Sequence, residues 1–117
     1  MDPLIGLALA RMALGTTSLV SPRLAAKIFL LDPEANPQLG MMTRLFGSRE
    51  AALGALTLLT KGQARQQAVR LGVAVDGADV LAGLGAAASG QVSKKAGVLF
   101  ALVAAGATAV GVRELTD

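Results

Sequence analysis

The chain contains no cysteine and no histidine. The first absence excludes a disulfide framework, a thiolate metal site and a cysteine nucleophile; the second removes the commonest general base and metal ligand. Tryptophan and tyrosine are missing as well, which leaves 3 phenylalanines as the whole aromatic content. A nucleic-acid face built on stacking platforms is therefore not expected. Charge is also scarce. Asp, Glu, Lys and Arg make up 16% of the residues, against about a quarter in an average soluble chain. The net charge of +3 comes from scattered Lys and Arg rather than from one basic cluster.

What remains is apolar. Hydrophobic residues account for 53% of the 117, and the mean hydropathy is +0.58. Ala, Gly, Leu and Val dominate, a mixture suited to close helix packing in lipid. The length has room for one domain, and residues 1–117 read as a single all-α membrane domain. Ala8-Leu9-Ala10 has the form of a signal-peptidase site, but Asp2 leads and Arg11 follows at once. The N-terminus is therefore read as retained.

A hydrocarbon core of about 30 Å is crossed by roughly 20 helical residues. Four segments fit, at about 4–20, 38–60, 68–90 and 96–112. Ser21-Pro22 stops the first, because proline biases its predecessor away from helical angles. Lys61-Gly62 and the polar run 63–67 separate the second from the third, and 91–95 separates the third from the fourth. Between the first two spans, Leu24, Ile28 and Leu31 recur at i, i+4, i+7 with Arg23 and Lys27 beside them. Residues 22–31 thus read as a short amphipathic helix lying at the interface. Lipid phosphate is the expected partner of Arg23, Lys27, Lys94 and Lys95. The expected fold is a four-helix transmembrane bundle with this interfacial helix between helices 1 and 2, multi-pass in the plasma membrane. Basic residues divide almost evenly between the two sides, so they assign no orientation. The two halves share no residue pattern that reads as an internal repeat.

A charge at mid-bilayer costs at least about 2.5–3.5 kcal/mol on insertion scales, so charged residues within spans face the bundle interior and find partners. Arg11, Arg44, Arg49, Glu50, Asp76 and Asp79 fall within the first three spans and sum to zero. They read as a buried charge network, with Arg11 expected to reach the aspartates and Arg44 near enough to its helix start to snorkel outward. In the third span Gly72, Asp76, Asp79, Gly83, Ala86 and Gly90 share one stripe, and in the second Gly40, Gly47, Glu50 and Gly54 do. Gly47, Gly54, Gly72 and Gly83 are the expected helix-packing residues, and the two stripes are expected to meet.

The segments Arg44 to Gly54 (RLFGSREAALG) and Gly72 to Gly85 (GVAVDGADVLAGLG) carry a resemblance. They are similar to small four-helix membrane proteins of actinobacteria of unknown function, distantly DoxX-like in outline. The resemblance implies the four-helix fold and implies no chemistry. Asp76-Gly77-Ala78-Asp79 is similar to the paired aspartates with which membrane phosphotransferases hold a divalent metal. The further aspartates and the companion Arg-Gly pattern are missing, and two carboxylates make a poor metal cage. No catalytic residue, metal or cofactor is expected.

Two functions compete at this point. One is a non-catalytic accessory or scaffold subunit, self-associated or part of a larger membrane-protein complex. The other is a proton or small-solute carrier, or a lipid-binding module, using the charged layer.

Overall fold

The computed structural model describes residues 2–117, whose regular structure is all helix with no strand among them. The helices are α1 (Pro3–Val20), α2 (Pro22–Ile28), α3 (Leu39–Leu59), α4 (Gly62–Ser89) and α5 (Lys94–Thr116). Their ends follow local chemistry. Asp2 caps α1 by accepting the Leu4 N–H at 2.9 Å, with Pro3 in the first turn where its missing N–H costs nothing. Ser21 both ends α1 and caps α2, its hydroxyl accepting the Leu24 N–H ahead of Pro22. The Asp32 carboxylate accepts the Glu34 and Ala35 N–H groups in the turn that follows. Ser93 caps α5 through the Ala96 N–H at 3.1 Å.

The polar run 63–67, readable as a short loop or a helix entry, is a helix entry. Residues 63–67 are the opening turns of α4, leaving only Thr60 and Lys61 outside the helices at this joint. Gln, Ala and Arg are good helix formers, and a run that is polar on every side reads as a loop only when periodicity is the sole guide. At 28 residues α4 is about 42 Å long and exceeds the hydrocarbon thickness by roughly two turns. Likewise α5 continues past 112 to Thr116, with Arg113 and Asp117 paired on its exposed last turn.

The chain divides into two compact units, Met1–Leu59 and Thr60–Asp117. In the first, α1 and α3 pack antiparallel with α2 set against both. In the second, α4 and α5 pack antiparallel. Each pair crosses on glycine. A Cβ on Gly15 would lie 2.7 Å from the Gly47 carbonyl oxygen and 2.6 Å from the Ala51 nitrogen; one on Gly47 would lie 2.8 Å from the Gly15 oxygen and 3.1 Å from the Leu19 nitrogen. The second unit repeats this set. A Cβ on Gly83 would meet the Gly97 oxygen at 2.9 Å and the Ala101 nitrogen at 3.2 Å, and one on Gly97 the Gly83 oxygen at 2.6 Å and the Ala87 nitrogen at 3.1 Å. Gly15 thus corresponds to Gly83 and Gly47 to Gly97, each with its neighbour four residues on. The two halves share a repeated construction that their side chains conceal.

Small residues make up most of the interior, with Leu4, Phe29, Leu53 and Val69 as its larger apolar members. Ala8, Ala25, Ala26, Ala68, Ala96, Ala101 and Ala104 are buried, whereas Leu9, Leu56, Leu71, Leu81, Leu84, Leu102 and Val103 are exposed. Three helices, α1, α4 and α5, are long and apolar enough to cross a membrane, and their apolar windows are only 22–28% buried. Four such spans were expected; α3 has the length, at 21 residues, but carries Arg44, Arg49 and Glu50.

Two helices close on left-handed residues. Gly90, at φ +77°, ends α4 with the Gln91 N–H donating to the Ala86 carbonyl. At the end of α2 the same motif holds Leu30 at φ +63°, the Leu31 N–H reaching Ala26 and the Leu30 N–H reaching Lys27. A side chain there costs about 1–2 kcal/mol from contact between Cβ and the following carbonyl. Leu30→Gly is therefore expected to stabilise the fold by about 1 kcal/mol, after the extra freedom of glycine in the unfolded chain is subtracted. Unfolding in mild detergent checks it, and a loss of stability would contradict the strain.

Candidate functional site

Two arginines of the first unit, Arg11 and Arg49, meet at Glu50. Arg11 lies one helical turn before Gly15 and Glu50 three residues after Gly47, so the tight crossing of α1 on α3 brings them together. The Arg11 guanidinium donates to Glu50 Oε2 at 2.8 Å, and both side chains are nearly sealed, at 7% and 6% exposure. Arg49 donates to the other oxygen, Oε1, at 3.3 Å. Glu50 therefore accepts from a different arginine on each oxygen.

Arg49 is the accessible member, its side chain 38% exposed. Its guanidinium stands 5.0 Å from the centroid of Phe46, one turn earlier on α3. Phe46 in turn meets Phe29 edge to face at 6.4 Å, with an interplanar angle of 82°. Neighbouring positions on a helix are 100° apart, so Arg49 leaves the helix turned away from Glu50. The long side chain folds back instead, guided by the ring beside it.

Of the other expected network members, Arg44 is exposed and donates through Nε to the Leu19 carbonyl at 3.3 Å. It satisfies an acceptor left open at the end of α1 rather than joining the cluster around Glu50. Asp76 and Asp79 belong to the second unit, one turn apart on α4, Asp76 buried and Asp79 half-buried. In the correspondence of the two units, Asp79 takes the place of Arg11 and Phe100 that of Glu50.

Three of the four expected packing glycines meet the neighbouring helix of their own unit. Gly47 and Gly54 lie on α1, where a Cβ on Gly54 would be 2.7 Å from the Ala8 oxygen, and Gly83 lies on α5. Gly72 is buried on α4. Gly40, grouped with them by the sequence, has open space beside it. Gly15 and Gly97 were missed; Gly97 with Ala101 four residues on carries a small-xxx-small signal, whereas Gly15 is followed by Leu19 and carries none. Two buried hydroxyls close on their own helices, Ser18 to the Leu14 carbonyl at 2.8 Å and Thr57 to Leu53 at 2.9 Å.

Chemically, the cluster around Glu50 is a carboxylate fixed by charge-assisted bonds, with one guanidinium face turned outward. No protein-family model matches the chain, and neither a curated protein nor a solved structure matches it.

Proposed function

We propose that this chain is an integral protein of the plasma membrane, a four-helix transmembrane bundle that acts as a non-catalytic accessory or scaffold subunit. The inverted distribution of side-chain size carries this reading. Water drives large apolar side chains inward, whereas lipid does not, and helices in lipid associate where small residues allow close backbone approach. A mainly alanine and glycine interior under exposed leucines matches the second solvent. The packing of α3 along α1, with Glu50 turned onto Arg11, supports a fourth crossing, because the charges that lower its hydropathy are partnered inside the unit. Within this reading, the likeness of 44–54 and 72–85 to DoxX-like four-helix proteins remains part of the proposal.

The accessory role rests on what the surface offers. Its outward faces are apolar helix, and Gly77, Gly85 and Gly106 have no atom within 4 Å of a Cβ position, which suits a partner helix in close approach. Glu50, with a guanidinium on each oxygen, is poorly placed to work as a base. The chain weighs 11.8 kDa. Gentle extraction of the tagged protein into native lipid discs, followed by mass measurement, is expected to give an oligomer or a larger complex. A lone monomer with no companion would sink the idea.

A second reading is favoured by one observation, the 38% exposure of Arg49 next to a buried carboxylate. It makes the cluster a carrier or lipid-binding element. Here Glu50→Gln abolishes flux or lipid retention in a protein that still folds, whereas the accessory reading expects no such activity to lose.

A further inference from the structure

The segment from Pro22 to Leu31 combines features that the interior of the first unit does not use. Ala25, Ala26 and Phe29 are buried, as expected for a short helix resting on its neighbours. On its outer side Leu24, Ile28 and Leu30 are 52%, 51% and 54% exposed. Leu24 and Ile28 are one turn apart and Leu30 follows at the left-handed position, so an exposed apolar side chain stands at a strained site where α4 uses glycine. Leu24, Ile28 and Leu30 thus offer an apolar outer face that the unit leaves exposed.

The charges of the segment point to the nature of that contact. Arg23 is paired with Glu34, and Asp32 is engaged in its turn by two backbone N–H groups. Lys27, exposed between Leu24 and Ile28, has no ion-pair partner among the described residues. An exposed ammonium beside apolar side chains is complementary to one surface chemistry: a phosphate layer lying directly over hydrocarbon. We propose that α2 and its C-terminal turn form an interfacial anchor, with Leu24, Ile28 and Leu30 seated at the boundary of headgroups and acyl chains and Lys27 holding an anionic phospholipid. The anchor rests on the reading of α1 and α3 as membrane-crossing helices. It fixes the depth of the first unit at the end of α1.

The absence of Trp and Tyr makes the test direct, because Leu30→Trp creates a single fluorophore. The full chain carrying L30W is reconstituted in phosphatidylcholine vesicles with a minority of phosphatidylglycerol, with bromine placed on either lipid at a shallow or a deep acyl position. Trp at 30 is expected to be quenched most by shallow bromine and little by aqueous iodide. One lysine near the surface is worth about 1 kcal/mol, so brominated phosphatidylglycerol is expected to be enriched roughly fivefold around it, and Lys27→Gln should remove the enrichment. Leu102→Trp, on the exposed side of α5, serves as control. Bromine quenching at 102 with iodide quenching at 30 overturns the anchor and leaves the membrane reading standing. Iodide quenching at both overturns the two together. Shallow quenching at 30 without preference between the lipids, or a preference that survives Lys27→Gln, overturns the assignment of Lys27.

Discussion

Glu50→Leu is expected to cost about 3–5 kcal/mol of stability, one of the two largest effects of a single substitution foreseen for this chain. The size follows from burial rather than from the attraction itself. Arg11 and Glu50 are nearly sealed from solvent, and removing the carboxylate strips a buried guanidinium of its 2.8 Å acceptor while the guanidinium stays in place. The pair as a whole contributes far less, since desolvating two ions offsets most of their attraction. Arg11→Met combined with Glu50→Leu is therefore expected to recover most of the loss, and to end within about 1–2 kcal/mol of the parent. Unfolding by a denaturing detergent titrated into mild micelles reads all three variants. A single variant as stable as the parent would show that the pair is not sealed in the membrane-extracted protein. A double variant as poor as the single would show that the arginine and carboxylate fix the helix register and are not exchangeable for packing.

This ion pair also marks how far the sequence could be read. The helices were legible wherever a capping residue and a proline or glycine coincide, as at Ser21-Pro22 and Gly90, because those residues act through local backbone chemistry. The burial of Arg11, Glu50 and Asp76 was legible, because a charge within an apolar segment is costly to leave against hydrocarbon. The pairing of both Arg11 and Arg49 with Glu50 was not. That pairing depends on which helices become neighbours and on a rotation of a few tens of degrees, and it turned on Gly15, a residue without chemistry of its own. Arg44 was grouped with the layer from its position, yet its side chain is long enough to reach the end of α1 instead. The repeat was hidden for a similar reason. What the halves share is the spacing of the crossing glycines, Gly15 with Gly47 and Gly83 with Gly97, while the corresponding side chains differ outright, Arg11 against Asp79 and Glu50 against Phe100.

That spacing yields the other large effect. Gly47→Leu and Gly97→Leu are each expected to cost about 3 kcal/mol or more, because even the first carbon of the side chain meets backbone at the crossing. A Cβ on Gly47 would lie 2.8 Å from the Gly15 carbonyl, and one on Gly97 2.6 Å from that of Gly83. Backbone of a neighbouring helix cannot swing aside as a side chain does, so the helices must separate and lose contact along their length. Alanine at either position is expected to cost less but still about 1–3 kcal/mol, and the two losses should be similar if the crossings are equivalent. Gly85 and Gly106 are the controls, with open space around them; alanine there is expected to be neutral or to gain up to about 1 kcal/mol from helix propensity. The same detergent titration ranks the set. The controls also bear on the accessory role, since a face that is open in the isolated chain is covered once a partner helix lies on it. Gly106→Leu that leaves the purified chain intact while releasing its companions from native lipid discs would place the partner on α5. If the companions stay bound, that face is not the contact.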